Sequence, residues 1–381
     1  MKDARLGRPL VNAPSPLSLD GKAVAKNRFS RFDPEHMSPL KGVMIGAGYF
    51  AQFQTEGWNR IPTAKIVAVA DALPGRAKEF AERWNIPAAY TDAAAMLAKE
   101  KPDFVDIATR PEAHLALVTL AARHGAHVIC QKPMAPTWAE CLAMVKVCNE
   151  AKVRLLLHEN WRWQPWYREI KRLLDARTLG KPFHIAFHMR TGDGRGEQPY
   201  TVQPYFRDMP QFILYEVVVH FIDTFRYLVG EIATVSCQTA RVNPVIKGED
   251  YALVQIRFHS GVQGLIDANR FSGRVAVDMT LGAFRLEGDR AAIRLSPDGQ
   301  LWLTEYGKDE VRHEFSVPAE GYKGDSVKAT QAHLVSCLQS GQRSESEGED
   351  YLQNVAAVFA CYRSAESGRT VSPTEWFGRK A

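Results

Sequence analysis

The sequence has no C-x-x-C pair, no apolar run of membrane-spanning length and no basic stretch set apart from acidic residues. Its six cysteines, Cys130, Cys141, Cys148, Cys237, Cys337 and Cys361, are scattered and form no group with histidine at metal-ligand spacing. That pattern argues against a zinc site or a disulfide framework, so no metal is expected and the thiols are expected to be reduced, in a cytoplasm. The N-terminus has no signal-peptide core, and nothing reads as a membrane span, so no membrane partner is expected. The net charge of +5 arises from 48 Lys and Arg set among 43 Asp and Glu. Interspersed charge of this kind is a solvated surface, not a nucleic-acid footprint. Internal repeats are also absent.

What is present is a chain of 381 residues, 45% hydrophobic and 24% charged. This is globular composition at a length that exceeds one typical core, so two domains are expected. Residues 1–39 are polar and interrupted by Pro9, Pro14, Pro16, Pro34 and Pro39. They read as an irregular N-terminal arm, either a loose tail or a segment that wraps a neighbouring subunit.

From Lys41 the texture changes. Short apolar runs at Gly42–Ile45, Ile66–Ala70, Phe104–Ile107, Val128–Cys130 and Val153–Leu157 alternate with helical stretches near 49–59, 74–84, 112–124 and 136–150. Buried strands alternating with helices predict βαβ crossovers and a doubly wound parallel sheet, a Rossmann-type α/β domain over 40–160. Beyond it, strand candidates follow one another at Phe183–Arg190, Ile232–Val242, Tyr251–His259, Val262–Asn269 and Val277–Leu286. Ser260-Gly261 reads as a hairpin turn. Helices are expected near 166–176, 212–229, 325–340 and 349–367. The second domain, over 161–372, is therefore α+β with a large, mostly antiparallel open sheet.

Gly46-Ala47-Gly48-Tyr49-Phe50-Ala51 forms G-x-G-x-x-A between the first strand and helix. Gly46 permits the tight turn, Gly48 lets backbone approach a pyrophosphate, and Ala51 keeps helix and strand close. Phosphates would sit at the helix N-terminus, beside Tyr49 and Phe50. Asp71 ends the second strand, 23 residues beyond Gly48, where a carboxylate can take both hydroxyls of an adenosine ribose. Such an acid repels a 2'-phosphate, which favours NAD, while Arg76 nearby keeps NADP as the alternative. Thr109 and His114 follow the strand at 104–107 and fall beside the expected crevice. His114 reads equally as a helix-start histidine without a ligand.

Gln131-Lys132-Pro133 follows Val128–Cys130, so Lys132 and Gln131 lie at a strand's carboxyl end, facing the nicotinamide. In the helical stretch Glu216 to Asp223, the i, i+4 spacing stacks Glu216 and His220 on one face, with Asp223 on nearly the same side. Charged groups on an otherwise apolar helix are costly to bury without purpose. His158-Glu159-Asn160-Trp161-Arg162-Trp163-Gln164 concentrates polar groups and aromatic planes at another strand end. Asn160, Arg162 and Trp161 are the sugar-binding candidates, although Trp161 and Trp163 read equally as packing.

These residues resemble the glucose-fructose oxidoreductase and inositol dehydrogenase family (Gfo/Idh/MocA) from about Lys41 to Thr370. The family pattern of Gly-rich loop, acid after strand two, Glu-Lys-Pro and acid-x-x-x-His falls here on Gly46 to Ala51, Asp71, Lys132-Pro133, and Glu216 with His220. There are two departures: Gln131 stands for the usual Glu, and Glu216 where Asp is common. The first removes a negative neighbour from Lys132; the second places a longer acid in the pocket. A finer resemblance is to the D-apiose dehydrogenase-like members, through Gln131 to Trp138, the 158–164 run and Arg241-Val242-Asn243-Pro244. It implies an aldose oxidised at its anomeric carbon.

The reaction implied is hydride transfer from a sugar or polyol carbinol to NAD(P). Lys132 would stabilise alkoxide charge, His220 would act as general base, and Glu216 would orient His220 or hold a substrate hydroxyl. The rivals are a cofactor-binding regulator without catalysis and an oxidoreductase that recycles a tightly held nucleotide. In the family another subunit covers the open sheet, which implies a homodimer or homotetramer.

Overall fold

The computed structural model describes residues 38–273 and 279–377. The arm expected over 1–39 lies, apart from its last two residues, outside them. The first part of the chain runs β1 (Leu40–Ile45), α1 (Ala51–Asn59), β2 (Ala64–Ala70), α2 (Arg76–Trp84), β3 (Ala88–Tyr90), α3 (Ala93–Glu100), β4 (Phe104–Ile107), α4 (His114–Arg123), β5 (His127–Gln131), α5 (Trp138–Glu150) and β6 (Leu155–His158). The six strands form one parallel sheet in the order β3-β2-β1-β4-β5-β6. Every residue of β4, β5 and β6 except His127 is buried, which is why these strands read as unbroken apolar runs. The chain reverses its direction of winding between β1 and β4. The crevice outside the carboxyl ends of those two strands is where such sheets take ligands.

The sequence reading missed β3 and α3. The strand is three residues long at the sheet edge and half exposed, too short to show a period. The helix is marked mainly by its N-cap, where the Asp92 carboxylate accepts from the Ala94 amide at 2.8 Å.

The second part runs α6 (Pro165–Asp175), β7 (Pro182–Arg190), a π-helical turn Ile213–Val218, α7 (Val219–Val229), β8 (Ile232–Ala240), β9 (Tyr251–Phe258), β10 (Gln263–Asn269), β11 (Gly282–Gly288), β12 (Ala291–Leu295), β13 (Leu301–Glu305), β14 (Val311–His313), α8 (Ser326–Ser340) and α9 (Gly348–Ser367). Its eight strands form one sheet, β14-β13-β12-β11-β7-β10-β9-β8, in which only the β7–β10 pair is parallel. Period-two alternation buries Ile185, Phe187 and Met189 on one face of β7. There Phe221 of α7 stacks on Phe187 with centroids 3.9 Å apart. The opposite face carries His188, Gln255, Arg257 and Arg285 in solvent.

The expected hairpin at Ser260-Gly261 joins β9 and β10, with Gly261 at φ +89°. The strand expected from Val277 begins instead at Gly282, and residues 274–278 lie outside the described residues. Three short strands, β12 to β14, were not foreseen. The helix expected over 212–229 is wound as a wide π turn up to Val218 and as α-helix only from Val219. α8 packs back on the first sheet: Leu334 and Val335 share a core with Met44 and Val69, and Arg60, which follows α1, donates to Asp325, which precedes α8, at 2.9 Å.

Two long connections interlock beside the second sheet. Asn243 Nδ2 donates to the carbonyls of Gly194 (2.7 Å) and Gly196 (2.9 Å), and Lys247 N donates to that of Arg207 (2.9 Å). Tyr200, Phe206, Phe212 and Ile246 bury a small core of their own beneath them.

Candidate active site

A cavity of about 760 Å³ opens at the carboxyl ends of β1, β2, β4 and β5 and extends to the second sheet. At one end Gly46 has φ +103°, and a Cβ there would lie 2.5 Å from the Ala108 carbonyl, so only glycine lets the two strand ends approach so closely. A Cβ on Gly48 would meet nothing within 4 Å. It would project into open space that a pyrophosphate needs. α1 starts without a side-chain cap or a first-turn acid, so its amides and dipole are free for an anion. Asp71 accepts from Ala47 N through Oδ2 and from Leu73 N through Oδ1, both at 2.9 Å. Its remaining lone pairs can take ribose hydroxyls. Arg76 stands 3.9 Å from the same carboxylate. Tyr49 and Phe50 line this end, whereas Ala51 is buried beneath it. The residues present fit a dinucleotide.

Thr109 and Gln131 also line the cavity. Gln131 Oε1 accepts from Lys132 N at 2.9 Å, while its Nε2 is buried without a partner, a donor left for a ligand. His114 does not line the cavity. It is fully buried behind the wall, with Nδ1 3.0 Å from the Met134 carbonyl and Nε2 3.2 Å from that of Thr109. It ties together the segments after β4 and β5, and burial pushes its imidazole down towards the neutral form.

Lys132, Glu216 and His220 come together further in, as the sequence motifs suggested, but with different partners. Lys132 Nζ donates to Glu216 Oε1 and to the Glu216 carbonyl, both at 2.8 Å. Glu216 thus supplies the negative neighbour that Gln131 does not, and it makes no hydrogen bond to His220. His220 Nδ1 is 2.5 Å from Glu159 Oε1, and Trp161 stacks on the imidazole with centroids 4.7 Å apart. Glu159 is completely buried and also accepts from Trp161 N (3.0 Å) and Tyr351 OH (3.1 Å). Burial alone would raise its carboxyl, but His220 beside it, the Trp161 amide and Lys132 outweigh that, so it is held below the usual carboxylate range. With Nδ1 engaged, Nε2 is the His220 nitrogen left for a ligand.

The stripe expected through Glu216, His220 and Asp223 divides. Asp223 points away from the cavity and takes Arg162, through Nε–Oδ2 at 2.6 Å and a second bond from Nη2, together with Asn354 Nδ2. Arg162 therefore does not line the main cavity. It faces a second one, of about 400 Å³, with Asp223, Arg226 and Asn354. The short helical turn Trp161–Trp163 rotates successive side chains to different sides, which the sequence run does not display. Asn160 and Trp161 do line the main cavity. Asn160 Nδ2 donates to Ser326 Oγ at 2.9 Å, leaving its Oδ1 as acceptor. Trp163 packs on His333 and Arg168 elsewhere.

Sequence reasoning passed over Glu159, which lay inside a quoted run without a role. It also missed Gln203, Tyr205, Arg270 and Tyr322, all of which line the cavity. The only signal for the first two was the long stretch 191–212 without strand or helix period in the sequence, since connections of that length in compact domains are usually functional. Among the described residues no group of three His, Cys, Asp or Glu could hold a metal, and no helix is long and apolar enough to cross a membrane.

Residues 40–159 match a family described as an oxidoreductase family with an NAD-binding Rossmann fold, and residues 167–294 match the GFO/IDH/MocA C-terminal domain. The chain is similar to a D-apiose dehydrogenase of Rhizobium rhizogenes, 35% identical over 88% of this chain and 98% of that protein. A D-apiose dehydrogenase of Paraburkholderia graminis is 36% identical over 87% and 89% of the two chains. Among solved structures, an oxidoreductase from Agrobacterium radiobacter in complex with NAD+, L-tartaric acid and magnesium superposes with a TM-score of 0.82. It is 34% identical and covers 89% of this chain and 99% of its own.

Proposed function

Since the chain belongs to the Gfo/Idh/MocA family of oxidoreductases with an NAD-binding Rossmann fold, we propose that it oxidises a carbinol of an uncharged sugar or polyol, an aldose such as D-apiose at its anomeric carbon. The observation that carries this reading is that Lys132 and His220 face one cavity, each with its own carboxylate. NAD, held by the Gly46–Ala51 turn and Asp71, would supply the hydride acceptor when bound, and Asp71 at the ribose position favours it over NADP.

The chain's own residues handle the proton and the charge. His220 takes the hydroxyl proton on Nε2, while Glu159 fixes the ring and stabilises the imidazolium that forms. Lys132 spends two of its three N–H groups on Glu216 and directs the third at the developing alkoxide. Glu216 holds Lys132 and is close enough to accept from a neighbouring hydroxyl. Asn160 Oδ1 and the face of Trp161 hold the sugar. Charge favours a neutral substrate: Lys132 faces Glu216, and Arg270, the other cation facing the substrate end from the second domain, is paired with Asp193. A sugar acid would find Lys132 and Arg270 already paired, and only Arg110, which also lines the cavity over the Tyr205 ring, outside an ion pair among the described residues.

We further place the exposed face of the second sheet in a homodimer or homotetramer interface, and the protein, whose six cysteines are buried and free, in the cytoplasm. The test is nicotinamide reduction by purified protein with NAD or NADP across D-apiose, D-xylose, D-glucose, myo-inositol and D-gluconate. NAD reduction by a neutral sugar and not by gluconate is the expected result. No reduction with any of them, while NAD binds, would instead favour a regulator or a closed cofactor cycle.

A further inference from the structure

The wall that the second domain contributes to the cavity carries donors that the proposed chemistry leaves unused. Arg270 directly follows β10, and its backbone is clamped on both sides: its N–H donates to the Asp250 carbonyl (3.2 Å), and its carbonyl accepts from Gly194 N (2.8 Å). Its guanidinium lies over the rings of Tyr200, Phe206 and Phe212, 5.0 to 5.6 Å from their centroids. It donates to Asp193 through Nε (3.1 Å) and Nη2, and Thr191 Oγ1 fixes the same carboxylate at 2.6 Å. Nη1, with two N–H groups, has no partner among the described residues. The mount thus holds the cation rigidly with one edge available to the cavity that Arg270 lines.

Tyr205 lines the same cavity, packs edge-on against Phe206 with centroids 4.7 Å apart, the ring over which Arg270 also lies, and carries the Arg110 guanidinium 5.0 Å over its own ring. Its hydroxyl oxygen accepts from Gln203 Nε2 at 2.9 Å, which leaves its hydrogen to donate. Burial, followed by Glu216, raises the phenol further above its ordinary range, so it stays a donor at any working pH. The wall thus offers up to three N–H or O–H donors, and Asp193 balances the charge of Arg270.

We infer that Arg270 and Tyr205 are specificity-determining residues that read adjacent hydroxyl oxygens of the sugar from the wall opposite the Rossmann domain. This rests on the dehydrogenase reading above. A site that hydrogen-bonds substrate hydroxyls rejects analogues lacking them, because its own donors are then left unpaired.

The experiment compares wild type, Tyr205→Phe and the charge-balanced double variant Arg270→Met with Asp193→Asn, on the sugar that wild type prefers and on its mono-deoxy counterparts. Turnover is read as kcat/KM, and sugar binding to the enzyme–NADH complex is read by calorimetry. Each variant should lose roughly tenfold to a hundredfold on the parent sugar. Each should lose nothing further on the deoxy sugar that lacks the hydroxyl it reads, and the Kd for NADH should not change. Losses that are equal for every deoxy sugar, or within twofold of none, overturn the inference. Tyr205→Phe removes one oxygen from an intact loop, so it decides the matter if the double variant does not fold. Sugar that binds in an Arg270-dependent way without being oxidised sinks the dehydrogenase reading and keeps this one. Oxidation that is indifferent to both variants does the reverse, and neither binding nor oxidation sinks both.

Discussion

The two ends of the cavity are built differently. The nucleotide end is mostly backbone: a glycine turn, a helix start and one carboxylate, drawn from β1, α1 and β2 within 26 residues of each other (46 to 71). The reacting end is made of side chains from the end of β5 and the residue after it, the segment after β6, the π turn before α7, α7 itself and the 191–212 connection, and its charged groups depend on partners far away in the chain. Lys132 and Glu216 are 84 positions apart, and His220 and Glu159 are 61. A backbone-built site fails where an added side chain would fill its turn, as at Gly46; a site of paired charges fails when either partner is lost.

That contrast can be broken most forcefully at the reacting centre. Lys132→Met and His220→Ala should each lower kcat at least about a hundredfold while the Kd for NADH, measured by fluorescence titration, stays within about threefold. Near-normal turnover in either variant would remove it from the chemistry. Glu159→Gln should cost roughly tenfold in kcat and move the activity limb that depends on the general base to lower pH, because an amide no longer favours the imidazolium. A pH profile that keeps its shape would reduce Glu159 to packing. At the nucleotide end Asp71→Ala should weaken NAD about tenfold, the loss of a charge-assisted hydrogen bond, and narrow the preference over NADP. Direct binding of both nucleotides measures this, and an unchanged ratio would mean that Asp71 does not read the ribose.

Two smaller effects concern the residues just outside the site. Arg162→Met strands the buried Asp223, so stability should fall by about 3 kcal/mol or more while the KM for sugar changes less than twofold; a large KM change would return Arg162 to the pocket. His158 is fully buried with both ring nitrogens unpartnered, and burial pushes its imidazole down to about 4. The unfolded chain, titrating near the ordinary value of about 6.5, then binds the proton more readily than the fold does. Its contribution is therefore intact above about pH 6.5, declines as pH falls and is lost below about 4, roughly 3 kcal/mol in all. Urea unfolding across that range should show this slope, and His158→Asn should flatten it.

Much of this was legible in advance because it is written locally. The G-x-G-x-x-A turn, Asp71 at a strand end and Lys132 before a proline could be placed from strand–helix alternation alone. Period-two burial likewise announced β7, β9 and β10. The strands missed, β3 and β12 to β14, span three to five residues, less than periodicity needs to declare itself. His114 was misplaced because being near a strand's carboxyl end does not say whether a ring faces the crevice or the loop behind it. Arg162 and Asp223 were misplaced because a short helical turn and a π-to-α junction rotate side chains by amounts that ideal spacing does not give.

The sequence by itself determined the order of strands and helices, the dinucleotide turn and the identity of the lysine and histidine, since backbone propensity, apolar period and turn chemistry act over a few residues. Only the tertiary structure decided which carboxylate serves which base, that Glu216 belongs to Lys132 and Glu159 to His220, and that a wall from residues 203–206 and Arg270 closes the far side. Those choices depend on distances between elements brought together by packing, and an ion pair forms with whichever partner the folded core holds within hydrogen-bond reach.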